Sequence, residues 1–151
     1  MIDLNGIAHI QLTVRDVSRS RGFYRMLLAE TFGMRVQYDD ENTFYCIGGR
    51  TGVLITSAAD THRDVAFDQT RIGLHHFCFR LRSREDVMAL HRALIDFGAK
   101  IIRAPEDGSW APGYYSVLFE DPDGIRIEAN YVPGRGNLDL IKDAPLRSRL
   151  K

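Results

Sequence analysis

The chain has 151 residues, its 20 lysines and arginines are balanced by 20 aspartates and glutamates, and it has two cysteines. That length suits one domain with a substantial core, and the charge balance gives no footprint for nucleic acid or an anionic membrane surface. No apolar run reaches bilayer length, the start carries no signal-peptide pattern, and two cysteines are too few for a disulfide scaffold, so a cytoplasmic location is the default expectation.

The first predicted element is a strand over residues 8–14, where Ala8, Ile10, Leu12 and Val14 alternate with His9, Gln11 and Thr13. A helix is predicted over 17–30, with Phe23, Tyr24, Leu27 and Leu28 apolar and Asp16 or Ser18 as its cap. Gly33 suits its C-terminal end, and strand-like runs follow at 34–38, 43–47 and 52–57. The pattern then repeats. Residues 75–81 align without a gap on the first strand, His75, Phe77, Phe79 and Leu81 alternating with His76, Cys78 and Arg80. A second helix is predicted over 84–97, with Val87, Leu90, Leu94 and Phe97 at helical spacing, a capping box in Ser83 and Asp86, and Gly98 beyond its end. Strand-like runs at 100–103, 114–120 and 124–130 complete the second half, with a longer loop around 105–112. Both halves therefore read as β-α-β-β-β.

The polar faces of three strands carry the chemistry. His9 lies on the first, His76 on its repeat, and Glu128 on the last, where Ile125, Ile127 and Ala129 take the opposite face. Two histidines and a carboxylate so placed point to a metal centre, because neutral imidazole and carboxylate are good ligands for divalent cations. His75 competes with His76 for that role, and alternation assigns His75 to the apolar, helix-facing side. His62 and His91 read as solvated residues in a polar loop and off a helix's apolar stripe.

A tandem β-α-β-β-β chain with this histidine–histidine–glutamate set resembles the vicinal oxygen chelate superfamily, which includes glyoxalase I, methylmalonyl-CoA epimerase, fosfomycin and bleomycin resistance proteins, and extradiol dioxygenases. The run Phe119-Glu120-Asp121-Pro122-Asp123-Gly124-Ile125-Arg126-Ile127-Glu128 is typical of that family. The resemblance covers residues 5–132, in modules of about 5–60 and 72–132, followed by an extension over 133–151. It implies an α+β fold whose two modules form a curled mixed sheet with a concave metal site. It further implies iron, manganese, nickel or zinc held by His9, His76 and Glu128, a small oxygenated substrate, and a homodimer; the extension itself, with three more basic than acidic residues and a Gly-Arg-Gly run, reads as a loosely packed segment that covers the partner. In some relatives the two halves of a site come from different subunits.

Subfamily hallmarks are incomplete. Thr56 stands where four-ligand members place a glutamate or glutamine. Leu118 stands where the extradiol signature has a tyrosine, and no histidine follows His91. Gln11 replaces the threonine of the fosfomycin proteins. The expected function is a metal-dependent lyase or isomerase, with an extradiol-type dioxygenase or a metal-free binding protein as alternatives. Glu128 is the candidate base, and Gln11 a pocket hydrogen-bonding residue. Arg126 shares Glu128's face and suits either a substrate carboxylate or a salt bridge. Trp110, in a loop with Gly108 and Gly113, suits either a lid or a dimer contact.

Overall fold

The computed structural model describes residues 2–134. Its elements run β1 (His9–Val14), α1 (Val17–Tyr24), β2 (Arg35–Asp39), β3 (Thr43–Gly48), β4 (Thr51–Ser57), β5 (Phe77–Arg80), α2 (Arg84–Phe97), β6 (Lys100–Asp107), β7 (Tyr115–Glu120) and β8 (Arg126–Tyr131). The expected α+β architecture of two β-α-β-β-β modules is present as two four-stranded mixed sheets, one in each module. The extension lies outside the described residues from position 135 onward. The described residues form two compact units: the first takes residues 2–68 with the turn Asp121–Gly124, and the second takes 69–120 and 125–134.

In the first unit the sheet order is β1-β4-β3-β2. β1 and β4 run parallel, with His9 opposite Gly52 and Thr13 opposite Thr56. A parallel pair needs a crossover, which α1, β2 and β3 supply. Alternation holds as expected: Leu12 and Val14 are buried while His9, Gln11 and Thr13 are exposed. Val53 and Ile55 of β4 join Phe44 and Cys46 of β3, and Phe23, Tyr24 and Leu27, in the core. Asp16, rather than Ser18, caps α1, its carboxylate accepting from Ser18 N at 2.7 Å.

The expected helix over 17–30 is correct in extent but not uniform. After Tyr24 it widens into a π-helical segment, Arg25–Thr31, in which Phe32 N donates to Leu27 O at 3.1 Å. The wider turn accompanies burial of three successive residues, Met26, Leu27 and Leu28, a pattern a regular 3.6-residue turn spreads over more of its circumference.

The family-typical turn belongs to this unit. The Tyr24 hydroxyl, fully buried, donates to Asp121 Oδ2 at 2.9 Å, and Arg19 pairs with Asp123. Burial first, and then the Asp121 charge, push the Tyr24 phenol far up, so it stays protonated and donates.

In the second unit the order is β5-β8-β7-β6, with β5 and β8 parallel and Cys78 opposite Glu128. α2 covers one face through Val87, Leu90 and Leu94, against Val117, Phe119, Ile127 and Ala129. Ser83 accepts from Asp86 N at 3.0 Å, and Gly98 ends the helix in the left-handed region at φ 81°. Two expectations are corrected here. The ordered strand begins at Phe77, so both histidines precede it. β6 extends to Asp107, beyond the run expected at 100–103, because register shifts around Arg103 let a bulged strand keep pairing with β7.

Candidate metal centre

Glu128 is the focus of the second unit. It sits on β8 between Leu118 of β7 and Cys78 of β5, its direct cross-strand partners. Leu118 in turn faces Arg103 of β6, so four strands present one row of side chains on a common face. Glu128 is only 6% exposed. A carboxylate so buried needs compensation, and three side chains supply it. The Tyr114 hydroxyl donates to Glu128 Oε1 at 2.7 Å, and Arg103 Nη2 reaches the same oxygen at 3.4 Å. The other oxygen, Oε2, lies 3.2 Å from His76 Nε2.

His76 is thus brought to Glu128, on the side the sequence expectation gave it, although its backbone also precedes the ordered strand. His75 is not packed on the apolar side, a correction to the sequence expectation. It is exposed, and its Nδ1 lies 2.7 Å from His76 Nδ1. Its backbone precedes the strand, where the two-residue period no longer dictates facing. One of the two Nδ1 atoms donates and the other accepts. With His75 as donor, His76 Nε2 carries a proton that it shares with Glu128. With His76 as donor, Nε2 presents a lone pair beside a carboxylate, an arrangement that a shared cation stabilises.

The donor spacing fits that cation. Two ligands each about 2.0–2.2 Å from one metal stand roughly 3.0–3.5 Å apart, and the His76–Glu128 separation of 3.2 Å falls within that span. The His75 bond supplies the outer contact that fixes a ligating imidazole's orientation, and Tyr114 and Arg103 do the same for the carboxylate. Among the described residues, no group of three His, Cys, Asp or Glu side chains is gathered around one point. The structure therefore presents a fitting pair rather than a complete triad.

The remaining candidates are placed as follows. His9 opens β1 and is exposed in the first unit. On the same face, Gln11 Nε2 donates to Thr56 Oγ1 at 3.4 Å. Thr56 thus has a hydrogen-bonding role in that unit's sheet. Arg126 Nε lies 3.4 Å from Glu120 Oε1, which matches the salt-bridge alternative for that residue. Lys100 reaches the same carboxylate at 2.8 Å. Trp110 is 54% exposed at the edge of a cavity of about 230 Å³.

Three residues of this site escaped the sequence reading: Tyr114, Arg103 and Ser116. Tyr114 is delivered by the loop before β7. Gly108 N donates to Tyr114 O at 2.9 Å, Tyr114 N donates to Ala111 O at 3.0 Å, and Ala111, Tyr114 and Val132 pack as a small apolar cluster. Gly113, at φ 72°, permits the turn. A Cβ there would meet the Pro133 ring at 2.7 Å. Burial, opposed by a hydrogen bond with Asn130 and assisted by Glu128, pushes the Tyr114 phenol well up, so it holds its proton. Arg103 depends on the β6 bulges, which sequence alternation does not reveal.

Cys78, opposite Glu128, has accessible surface, yet its thiol is pushed up to about 12, first by desolvation and then by the Glu128 charge. The adjacent carboxylate disfavours the thiolate and keeps Cys78 a thiol at neutral pH.

Comparison with known proteins agrees with this architecture. The chain is 28% identical over 123 residues to the uncharacterized protein YqjT of Bacillus subtilis (strain 168), covering 80% of this chain and 94% of that protein. Its fold matches a crystal structure provisionally assigned as a glyoxalase from Bacillus halodurans, with TM-score 0.74, 24% identity, and 85% and 96% of the two chains covered. It also matches a glyoxylase/bleomycin resistance protein/dioxygenase domain from Frankia sp. EAN1pec, with TM-score 0.69, 25% identity, and coverage of 85% and 98%. Residues 6–129 match the family model itself, and the chain belongs to the Glyoxalase/Bleomycin resistance protein/Dioxygenase superfamily.

Proposed function

We propose that the protein is a divalent-metal-dependent lyase or isomerase, with His76 and Glu128 as ligands; His9, the third residue of the expected set, is exposed on β1 of the first unit. The observation that carries this reading is the 3.2 Å approach of His76 Nε2 to Glu128 Oε2, with each side chain oriented by its own outer partner. A cation bound there stabilises negative charge developing on substrate oxygens. The chain's own residues do the rest. His75 fixes the ring of His76. Tyr114 keeps its proton and donates a hydrogen bond to Glu128 Oε1, which orients the carboxylate whose Oε2 would hold the metal; Glu128 would accept a substrate proton only on leaving that metal. The cross-strand neighbour Leu118 places an aliphatic side chain, without a hydroxyl, beside that carboxylate. This favours proton transfer over ring cleavage assisted by a phenol at that position.

Metal analysis of the purified protein, with calorimetric titration of its metal-free form, tests the first half. Stoichiometric uptake is expected. His76→Ala and Glu128→Ala should weaken it by more than the roughly 10–100-fold typical of losing an outer partner, whereas His75→Ala should stay within that span. A protein that takes up no manganese, nickel, zinc or iron would favour a metal-free binding role. For the second half, metal-loaded protein is incubated with hemithioacetals, 2-methyl-branched acyl thioesters and catechols, following solvent deuterium exchange anaerobically and oxygen uptake in air. Oxygen-dependent ring opening without deuterium exchange would replace the lyase or isomerase by a dioxygenase.

A further inference from the structure

The cavity of about 230 Å³ in the second unit is lined by Arg103, Glu106, Ser109, Trp110, Tyr114 and Ser116, among others. Two of these residues, Arg103 and Tyr114, also contact Glu128, so the cavity adjoins the candidate ligand pair. Its volume is below that of sites for drug-sized molecules, which begin at roughly 300 Å³.

Arg103 is held but not saturated. Its Nη2 donates to Ser116 Oγ at 3.2 Å and approaches Glu128 Oε1 at 3.4 Å, which fixes the plane of the guanidinium. Its Nε is buried and finds no hydrogen-bond acceptor among the described residues. The nearest carboxylate, Glu106 Oε1, lies 3.3 Å from Nε as an ion pair but outside hydrogen-bond geometry. Glu106 is free to leave, since its side chain is 59% exposed. The other acid on the cavity wall, Asp107, is already engaged in two bonds by Arg84. Arg103 faces two carboxylates, Glu128 and Glu106, a net negative site; a divalent cation on Glu128 would reverse that sign and favour an anion.

We propose that Arg103 binds the carboxylate of a small carboxylic-acid substrate, displacing Glu106, with Trp110 covering the cavity. The guanidinium fork matches a carboxylate, and the unfilled Nε is the donor that the ligand completes. Tyr114 and Ser116 give the remaining wall its polar character. Glu106 acts as an internal competitor that occupies the cation until the substrate arrives. The assignment rests on the metal reading only for the added positive charge; the Arg103–Glu106 geometry stands without it.

The chain contains one tryptophan, so its emission reports on this cavity. Full-length protein, metal-free and zinc-loaded, is titrated with pyruvate and with its neutral analogue pyruvamide while Trp110 emission is followed. Pyruvate should give a saturable change, and pyruvamide or the Arg103→Met variant should bind about tenfold more weakly or worse, as loss of a charge-assisted pair requires. Glu106→Gln, a surface change that leaves the fold intact, should tighten pyruvate by about threefold or more by removing the competing carboxylate. Equal binding of pyruvate and pyruvamide, an unaltered Arg103→Met, or a Glu106→Gln variant that binds no tighter than wild type would overturn the proposal. Zinc content is measured on the same samples. Arg103-dependent binding in a protein that takes up no zinc would sink the metal reading and leave this one standing, whereas zinc uptake with Arg103-independent binding would do the reverse.

Discussion

Tyr114→Phe probes the hydroxyl of the candidate centre. The ring remains, so packing of Tyr114 with Ala111 and Val132 is retained, and what is removed is the hydroxyl, which donates to Glu128 Oε1 at 2.7 Å and is also hydrogen-bonded with Asn130. Both partners are nearly buried, at 7% and 6% exposure, so water does not readily replace the donor. A hydrogen bond to a charged group contributes about 1.5–3 kcal/mol net, and the lower half of that range is expected because Arg103 still reaches the same oxygen. The urea midpoint of the metal-free protein should fall by that free energy at unchanged slope. Metal affinity should drop roughly 10–100-fold, the usual consequence of losing an outer partner that orients a ligand. Calorimetric titration reads the second effect independently of the first. A variant that loses stability but binds metal like wild type would show that the bond serves only the fold. A variant unchanged in both would refute the placement of Tyr114 at Glu128.

Two further predictions concern the first unit. Tyr24→Phe removes the buried bond to Asp121 Oδ2 and should cost about 1.5–3 kcal/mol of stability; an unchanged urea midpoint would contradict it. The Asp16 carboxyl is held below its ordinary 3.8, chiefly by the side-chain hydrogen bond with Ser18. A depressed folded value means that its contribution is fully present above the unfolded value and lost as pH falls through the folded one. The stability difference between wild type and Asp16→Ala should therefore be constant near neutrality and shrink on acidification below 3.8. A difference that grows in acid would reverse the sign of that linkage.

Much of this architecture is legible in the amino-acid order because it depends on local periods. Two-residue alternation marks β1 and the last strand, 3.6-residue spacing marks α2 almost to the residue, and Ser83 and Gly98 cap it where their side-chain and backbone chemistry allow. Internal repetition supplies the two-module topology, since each half must build its own sheet. The facing of Glu128 is likewise legible from alternation along β8, and parallel pairing puts it opposite Cys78; His76 reaches it from just ahead of β5. Other features are decided by contacts between distant segments. The widening after Tyr24 is one, and the facing of His75, which lies just outside the ordered strand, is another. The most consequential is the environment of Glu128. Register shifts in β6 carry Arg103 to it, and a loop closed by its own hydrogen bonds and an apolar cluster carries Tyr114 to it. No period in the sequence encodes either approach, because a bulge breaks alternation and a loop has none. Parity along the strands therefore determines which residues share the face of Glu128, and tertiary packing decides which side chains hold its carboxylate in place.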